Sequence, residues 1–139
     1  MTVSQDYWGA RMKTRHAFTL VELVMVIVII GLLAAVVVPK FSDMRTEAQG
    51  AAEQGTVAAV RSGIKLVHMT NLAKGLTDYP SKLDSSSTGQ ASEKNPLFTE
   101  VVEGGISDPN WEKVKGNTYK YGPTGNKYKY DKSTGTFKK

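Results

Sequence analysis

Cysteine is missing from the 139 residues of this chain. With it go disulfide staples, thiolate metal ligands, a cysteine nucleophile and any lipid attached through sulfur. Histidine is nearly missing too: His16 and His68 stand alone, too far apart in sequence to suggest a paired site. There is no Ser/His/Asp arrangement, no glycine-rich phosphate loop and no pair of neighbouring catalytic carboxylates. The turn from Asp131 to Gly135 offers one carboxylate, far short of the oxygen-rich set of a calcium loop. The chain therefore reads as a non-enzyme, with no cofactor and no metal site.

Charge is scarce where it matters most. From Phe18 to Val38, 21 residues carry a single charge, Glu22. At about 1.5 Å per helical residue this run matches the roughly 30 Å hydrocarbon core of a bilayer. The net charge is +5, of which Arg11, Lys13 and Arg15 against Asp6 supply +2 in the first 17 residues. The remaining +3 is scattered, as on a solvated face, and does not indicate a nucleic-acid partner. Lys-Tyr alternation near the C-terminus could stack bases, but an alternating strand with one buried face explains it more simply.

The apolar run is too long for an ordinary secretory signal, and its end lacks a small-x-small cleavage site: a cut after Ala35 would place Leu33 where a small residue is needed. A plain signal anchor fits the hydropathy alone. The third design is a short basic leader cut on the cytoplasmic side, before the apolar segment, which stays on the mature protein. The junction Lys13-Thr14-Arg15-His16-Ala17-Phe18-Thr19-Leu20-Val21-Glu22-Leu23 favours this design. It strongly resembles the prepilin signal of type IV pilins and type II secretion pseudopilins, a resemblance that extends through Gly31 and Pro39-Lys40-Phe41 and more loosely to about residue 70. It implies cleavage by prepilin peptidase between Ala17 and Phe18, with alanine standing where the family usually has glycine, and N-methylation of Phe18. It also places Glu22 at the fifth position of the product, where the family has its glutamate. A carboxylate four residues into a membrane helix is costly unless paired or neutralised. The implied partner is the freed Phe18 amine of a neighbouring subunit, which makes Glu22 an assembly register mark.

The basic residues before the segment orient the N-terminus to the cytoplasm and the rest to the periplasm. The expected organisation is a leader over 1–17, a transmembrane and assembly helix over 18–38, and a periplasmic head over 39–139. Pro39 stops or kinks the helix. Beyond it Phe41, Met44, Ala48 and Ala52, then Val57, Val60, Ile64 and Val67, keep helical spacing. One helix kinked near Pro39 is thus predicted, from about Phe18 to Leu72, with Gly75 as its stop. Small residues crowd its middle (Gly50, Ala51, Ala52, Gly55, Ala58, Ala59) and would allow close helix packing between subunits, as would Gly31 with Ala35.

Residues 74–94 read as loop. Asn95-Pro96 before Leu97, Phe98, Val101 and Val102 predicts a short helix ended by Gly104-Gly105. Tyr119 and Tyr121, then Tyr128 and Tyr130, then Phe137 alternate around two turns, predicting a β-meander over about 117–138. Its aromatic side should pack on the Val57–Val67 stripe, with Lys120, Lys127 and Lys129 facing water and protecting the sheet edge. The fold class is α+β: a long N-terminal helix on a small C-terminal antiparallel sheet.

The resemblance implies a helical filament of identical subunits, with minor pseudopilins or pilins, an inner-membrane assembly platform and a cytoplasmic ATPase as partners. It implies a location in the bacterial inner membrane, single-pass, or at the cell surface within a filament. The expected role is a structural subunit of a type II secretion pseudopilus; the alternative is a type IV pilus subunit serving adhesion, motility or DNA uptake.

Overall fold

The computed structural model describes residues 17–139; the leader positions Arg11, Lys13, Arg15 and His16 lie outside the described residues. The chain divides into two compact units between Lys40 and Phe41. One long helix, α1 (Leu20–Ala73), supplies all of the regular structure of the first unit and enters the second. It continues through Pro39 instead of stopping there. Proline removes one backbone donor, a loss that a helix of 54 residues absorbs.

In the first unit every described side chain of α1 is exposed, and the helix has no polar face to turn to water. In the second unit α1 has a distinct inner face: Val57, Val60 and Ile64 are buried together with Glu53 and Gly63, while Val67 is only half-buried. The helix ends as its sequence predicts. Gly75 takes φ 79°, the Leu76 N–H reaches back to the Asn71 carbonyl and the Gly75 N–H to that of Leu72, each at 2.9 Å. These two bonds satisfy carbonyls the last turn would otherwise leave open.

Five strands follow: β1 (Gly89–Gln90), β2 (Trp111–Lys115), β3 (Thr118–Tyr121), β4 (Lys127–Asp131) and β5 (Thr136–Lys138). They form one antiparallel sheet in the order β1-β2-β3-β4-β5. Trp111, Tyr119, Tyr121, Tyr128, Tyr130 and Phe137 all point to the helix side and are buried. The meander is therefore as expected, and β1 and β2 extend it by two strands. The expected lysine-protected edge needs correction. Lys120, Lys127 and Lys129 do lie off the aromatic side, but β3 and β4 are inner strands and the edges are β1 and β5. The β5 edge is instead met by Arg61 of α1, whose Nε donates to the Phe137 carbonyl at 2.9 Å.

The short helix expected after Pro96 does not form. Phe98 adopts φ 61°, which no right-handed helix permits, and Leu97 bridges to Ile106 across the loop. Only one turn survives, with the Val101 and Val102 N–H groups both donating to the Phe98 carbonyl. The left-handed residue costs about 1–3 kcal/mol. It places Leu97 and Phe98, adjacent in sequence, both fully inside the core. Phe98 there packs against Tyr119, Trp111 and Phe137, with ring centroids 4.5, 5.7 and 5.8 Å away. Burial of side chains this size is worth about 1.5–3 kcal/mol each, which offsets the strain.

Candidate functional site

Ala17, Phe18 and Thr19 are exposed and precede the helix, so the Ala17–Phe18 bond lies in non-helical chain. Phe18 is 86% exposed. The helix begins on a reciprocal cap. The Glu22 N–H donates to the Thr19 hydroxyl oxygen at 3.1 Å, and the Glu22 carboxylate accepts from the Thr19 N–H at 3.0 Å and from its hydroxyl at 3.2 Å. The signature is Thr-x-x-Glu before an apolar run, readable in the sequence and not used there. Glu22 thus sits where the helix dipole favours negative charge, and its carboxylate is already partly satisfied by its own chain.

After Glu22 the helix carries only apolar side chains to Val38, among them Leu32, Val36 and Val38, each more than 60% exposed. Among the described residues α1 is the one helix long and apolar enough to cross a membrane. At Gly31, Gly50 and Gly55 an added Cβ would meet nothing within 4 Å. The small residues of the mid-helix thus line open surface, available to another chain. Gly63 differs: a Cβ there would fall 1.8 Å from the Val101 carbonyl oxygen, so this glycine is what lets loop 97–106 lie on α1.

Two buried polar clusters, both missed from sequence, fasten the second unit. Asp84 is buried in the loop before β1, and its carboxylate accepts four bonds. They come from Lys113 Nζ on β2, Tyr119 Oη on β3 at 2.8 Å, the Phe98 N–H at 3.1 Å and the Ser86 N–H at 3.2 Å. Lys113 also donates to the Ser86 carbonyl at 2.9 Å. Burial, then the hydrogen bond to Asp84, pushes the Tyr119 phenol far above its usual range. An aspartate, a lysine and a tyrosine in contact can suggest catalysis. Here both carboxylate oxygens of Asp84 are taken up by Lys113, Tyr119 and two backbone N–H groups, and none of the main surface cavities is lined by the three. The cluster is a clasp joining the α1–β1 loop, loop 92–108, β2 and β3.

The second cluster joins helix to sheet. Glu53 of α1 accepts from Tyr128 Oη and Asn126 Nδ2, each at 2.7 Å. Burial pushes the Glu53 carboxyl up, but hydrogen bonds from Tyr128, Asn126 and Thr124 outweigh it and hold it below its usual range. Burial and the bond to Glu53 push Tyr128 up to about 12. Asp131, at the turn compared above with a calcium loop, accepts from the Ser133 N–H and hydroxyl. Its carboxylate serves as a turn cap.

Comparison with known proteins bears on both units. Residues 12–38 match the family described as the prokaryotic N-terminal methylation motif. The chain is 49% identical to the type IV narrow pilus major component of Thermus thermophilus over 59 residues, 42% of this chain and 49% of that protein. It is 29% identical to fimbrial protein Q of Moraxella bovis over 98 residues, 68% of this chain and 62% of that one. These two alignments thus span about half and somewhat under two thirds of the relatives concerned. To type II secretion system core protein G of Pseudomonas aeruginosa it is 30% identical over 125 residues, 86% of this chain and 81% of that one. No solved structure matches the chain.

Proposed function

The chain belongs to the type IV pilin-like family that includes the type II secretion pseudopilins, and on that premise we propose that it is a structural subunit of a pseudopilus. The observation that carries the finer reading is the extent of the likeness to core protein G, which at 86% of the chain takes in the head as well as the anchor. The likeness to the narrow-pilus component and the fimbrial protein favours a second reading, a type IV pilus subunit.

In the proposed pathway residues 1–17 are a leader that holds the N-terminus in the cytoplasm. Prepilin peptidase cuts between Ala17 and Phe18, and the new amine of Phe18 is methylated. Residues 18–38 remain in the inner membrane with the head, 39–139, in the periplasm. The apolar helix, whose side chains are exposed among the described residues, finds its partners in other copies as the filament grows. Minor subunits, an inner-membrane platform and a cytoplasmic ATPase would start and drive that growth.

Glu22 has a defined part in this pathway. Among the described residues its carboxylate is held by Thr19 alone. A neighbour's Phe18 ammonium would add a charge-assisted bond, roughly twice as strong as a neutral one, in surroundings where water competes little. The exchange occurs at one stagger of helix against helix, so the glutamate reports correct register. Fractionation separates the two readings. Sheared surface filaments containing the chain indicate a pilus; cell-bound protein whose deletion blocks enzyme export indicates a pseudopilus.

A further inference from the structure

The charges of the head are unevenly distributed along the chain, with β2 at the boundary, where Glu112 is followed by Lys113, paired with Asp84, and Lys115. From Glu93 to Glu112 the side chains carry five acids (Glu93, Glu100, Glu103, Asp108, Glu112) and one base, Lys94, a net −4. From Thr118 to Lys139 they carry six lysines and one acid, Asp131, a net +5. Sheet order keeps them apart: the acidic stretch joins β1 to β2 on one side, whereas the lysines ride on and beside β3, β4 and β5 on the other. On the solvent face the lysines even oppose one another, Lys120 directly across from Lys127 and Lys129 directly across from Lys138. Like charges in that register destabilise a sheet. The acids of the same face do little to relieve them. Glu112 lies between Gln90 and Lys120 and so faces one lysine, and Asp131 is engaged by Ser133.

We propose that this lysine face docks against the acidic loop around Glu93 and Glu103 of a second copy of the chain. The inference rests on the filament reading above. Both acids are exposed, as are Lys127, Lys129 and Lys138, and the complement each patch needs is present on every other copy. A nucleic acid is less well matched. The tyrosines that alternate with these lysines are buried, so no aromatic platform is left for bases. A contact between two unlike patches is heterologous: each copy offers one patch forward and one backward. Repeated from copy to copy without closing into a ring, such a contact propagates along an open helix, as the filament reading requires.

Paired charge reversals in the full-length chain test this, read as the amount of chain recovered in sheared or pelleted filaments at equal membrane expression. Lys129, Lys138, Glu93 and Glu103 are all exposed, so each reversal should leave the head folded, which a thermal melt verifies. K129E/K138E alone and E93K/E103K alone should each lower filament recovery about tenfold, because like charges then meet across the contact. Joining all four changes should restore recovery to within about threefold of wild type. Wild-type recovery for both pairs overturns the inference and leaves the filament reading standing. So does a loss with K129E/K138E that E93K/E103K does not share, the signature of an external polyanion. Failure of the four-fold variant to recover while its melt is unchanged likewise overturns it. A wild-type chain that never enters a filament overturns the filament reading and this contact with it.

Discussion

Replacing glycine by alanine at Gly55 and at Gly63 should have opposite signs, although both lie within α1. At Gly55 the new methyl meets nothing within 4 Å, so the change acts only through helix propensity and should add up to about 1 kcal/mol. At Gly63 the same propensity gain is present, but the Cβ would sit 1.8 Å from the Val101 carbonyl oxygen, against a floor of 3.0 Å for real contacts. The obstacle is backbone, so the whole loop 97–106 must retreat by about 1.2 Å, the difference between those distances. Retreat drags Leu97 and Phe98, both fully buried, away from their partners. Overpacking of this kind costs typically 1–3 kcal/mol, more than the propensity gain returns. In a head of this size 1 kcal/mol moves the melting temperature by about 4–8 °C. Thermal melts of a fragment beginning near Asp43 should therefore rank Gly55→Ala above wild type and Gly63→Ala several degrees below it. The reasoning is refuted if Gly63→Ala melts at or above wild type, for then the loop does not rest on that face of the helix.

Removing the clasp by Asp84→Ala leaves Lys113 buried without its counter-charge and should cost about 3–5 kcal/mol in urea titrations; a loss under about 1 kcal/mol would mean the cluster is open to water. In the same fragment Ile64→Asp should unfold the head, whereas Lys129→Glu, on the wet face and across from Lys138, should shift stability by under about 0.5 kcal/mol; the reverse ranking would put the wrong faces inside. Glu22→Val should leave membrane insertion intact and impair filament formation, while Glu22→Gln, which keeps the cap but not the charge, separates capping from registration; wild-type assembly of both variants would remove Glu22 from that role. Alkali should unfold the head, because burial raises Tyr128 and Tyr130 to about 12 and the folded state favours the neutral phenol. That contribution is complete below the ordinary tyrosine value near 10 and lost as pH rises from there through about 12. Tyrosinate absorbance and circular dichroism followed together would reveal a different limit if the phenols ionise freely near pH 10.

The features that could be read from sequence are those written in a local period. Val57, Val60 and Ile64 recur at helical spacing and Tyr119, Tyr121, Tyr128 and Tyr130 at strand spacing, and these are the two faces that meet. Gly75 ended the helix because a left-handed residue there is a local need. What escaped depends on partners distant in the chain. β2 puts Lys113 at an inward position, which spoils the alternation of Trp111-Glu112-Lys113-Val114-Lys115 unless Asp84, 29 residues earlier, is known to be waiting. Pro96 with the apolar residues after it looked like a helix start, yet the Phe98 N–H is taken by that same aspartate and the loop turns the other way. Gly63 was one glycine among several, and only the approach of Val101 distinguishes it. At the proposed processing and assembly site Ala17, Phe18 and Glu22 are legible only through resemblance, whereas the Thr19–Glu22 cap lies in plain view as a spacing of three.

Maturation is the step on which the filament role depends, and one mass spectrum of the intact protein, extracted from the membranes of cells holding a prepilin peptidase, tests it most directly. A single species beginning at Phe18 is expected, lighter by residues 1–17 and heavier by one methyl group. In cells lacking the peptidase the chain should instead retain the full precursor mass. A stable protein that still carries residues 1–17 in peptidase-containing cells would contradict the account at its first step.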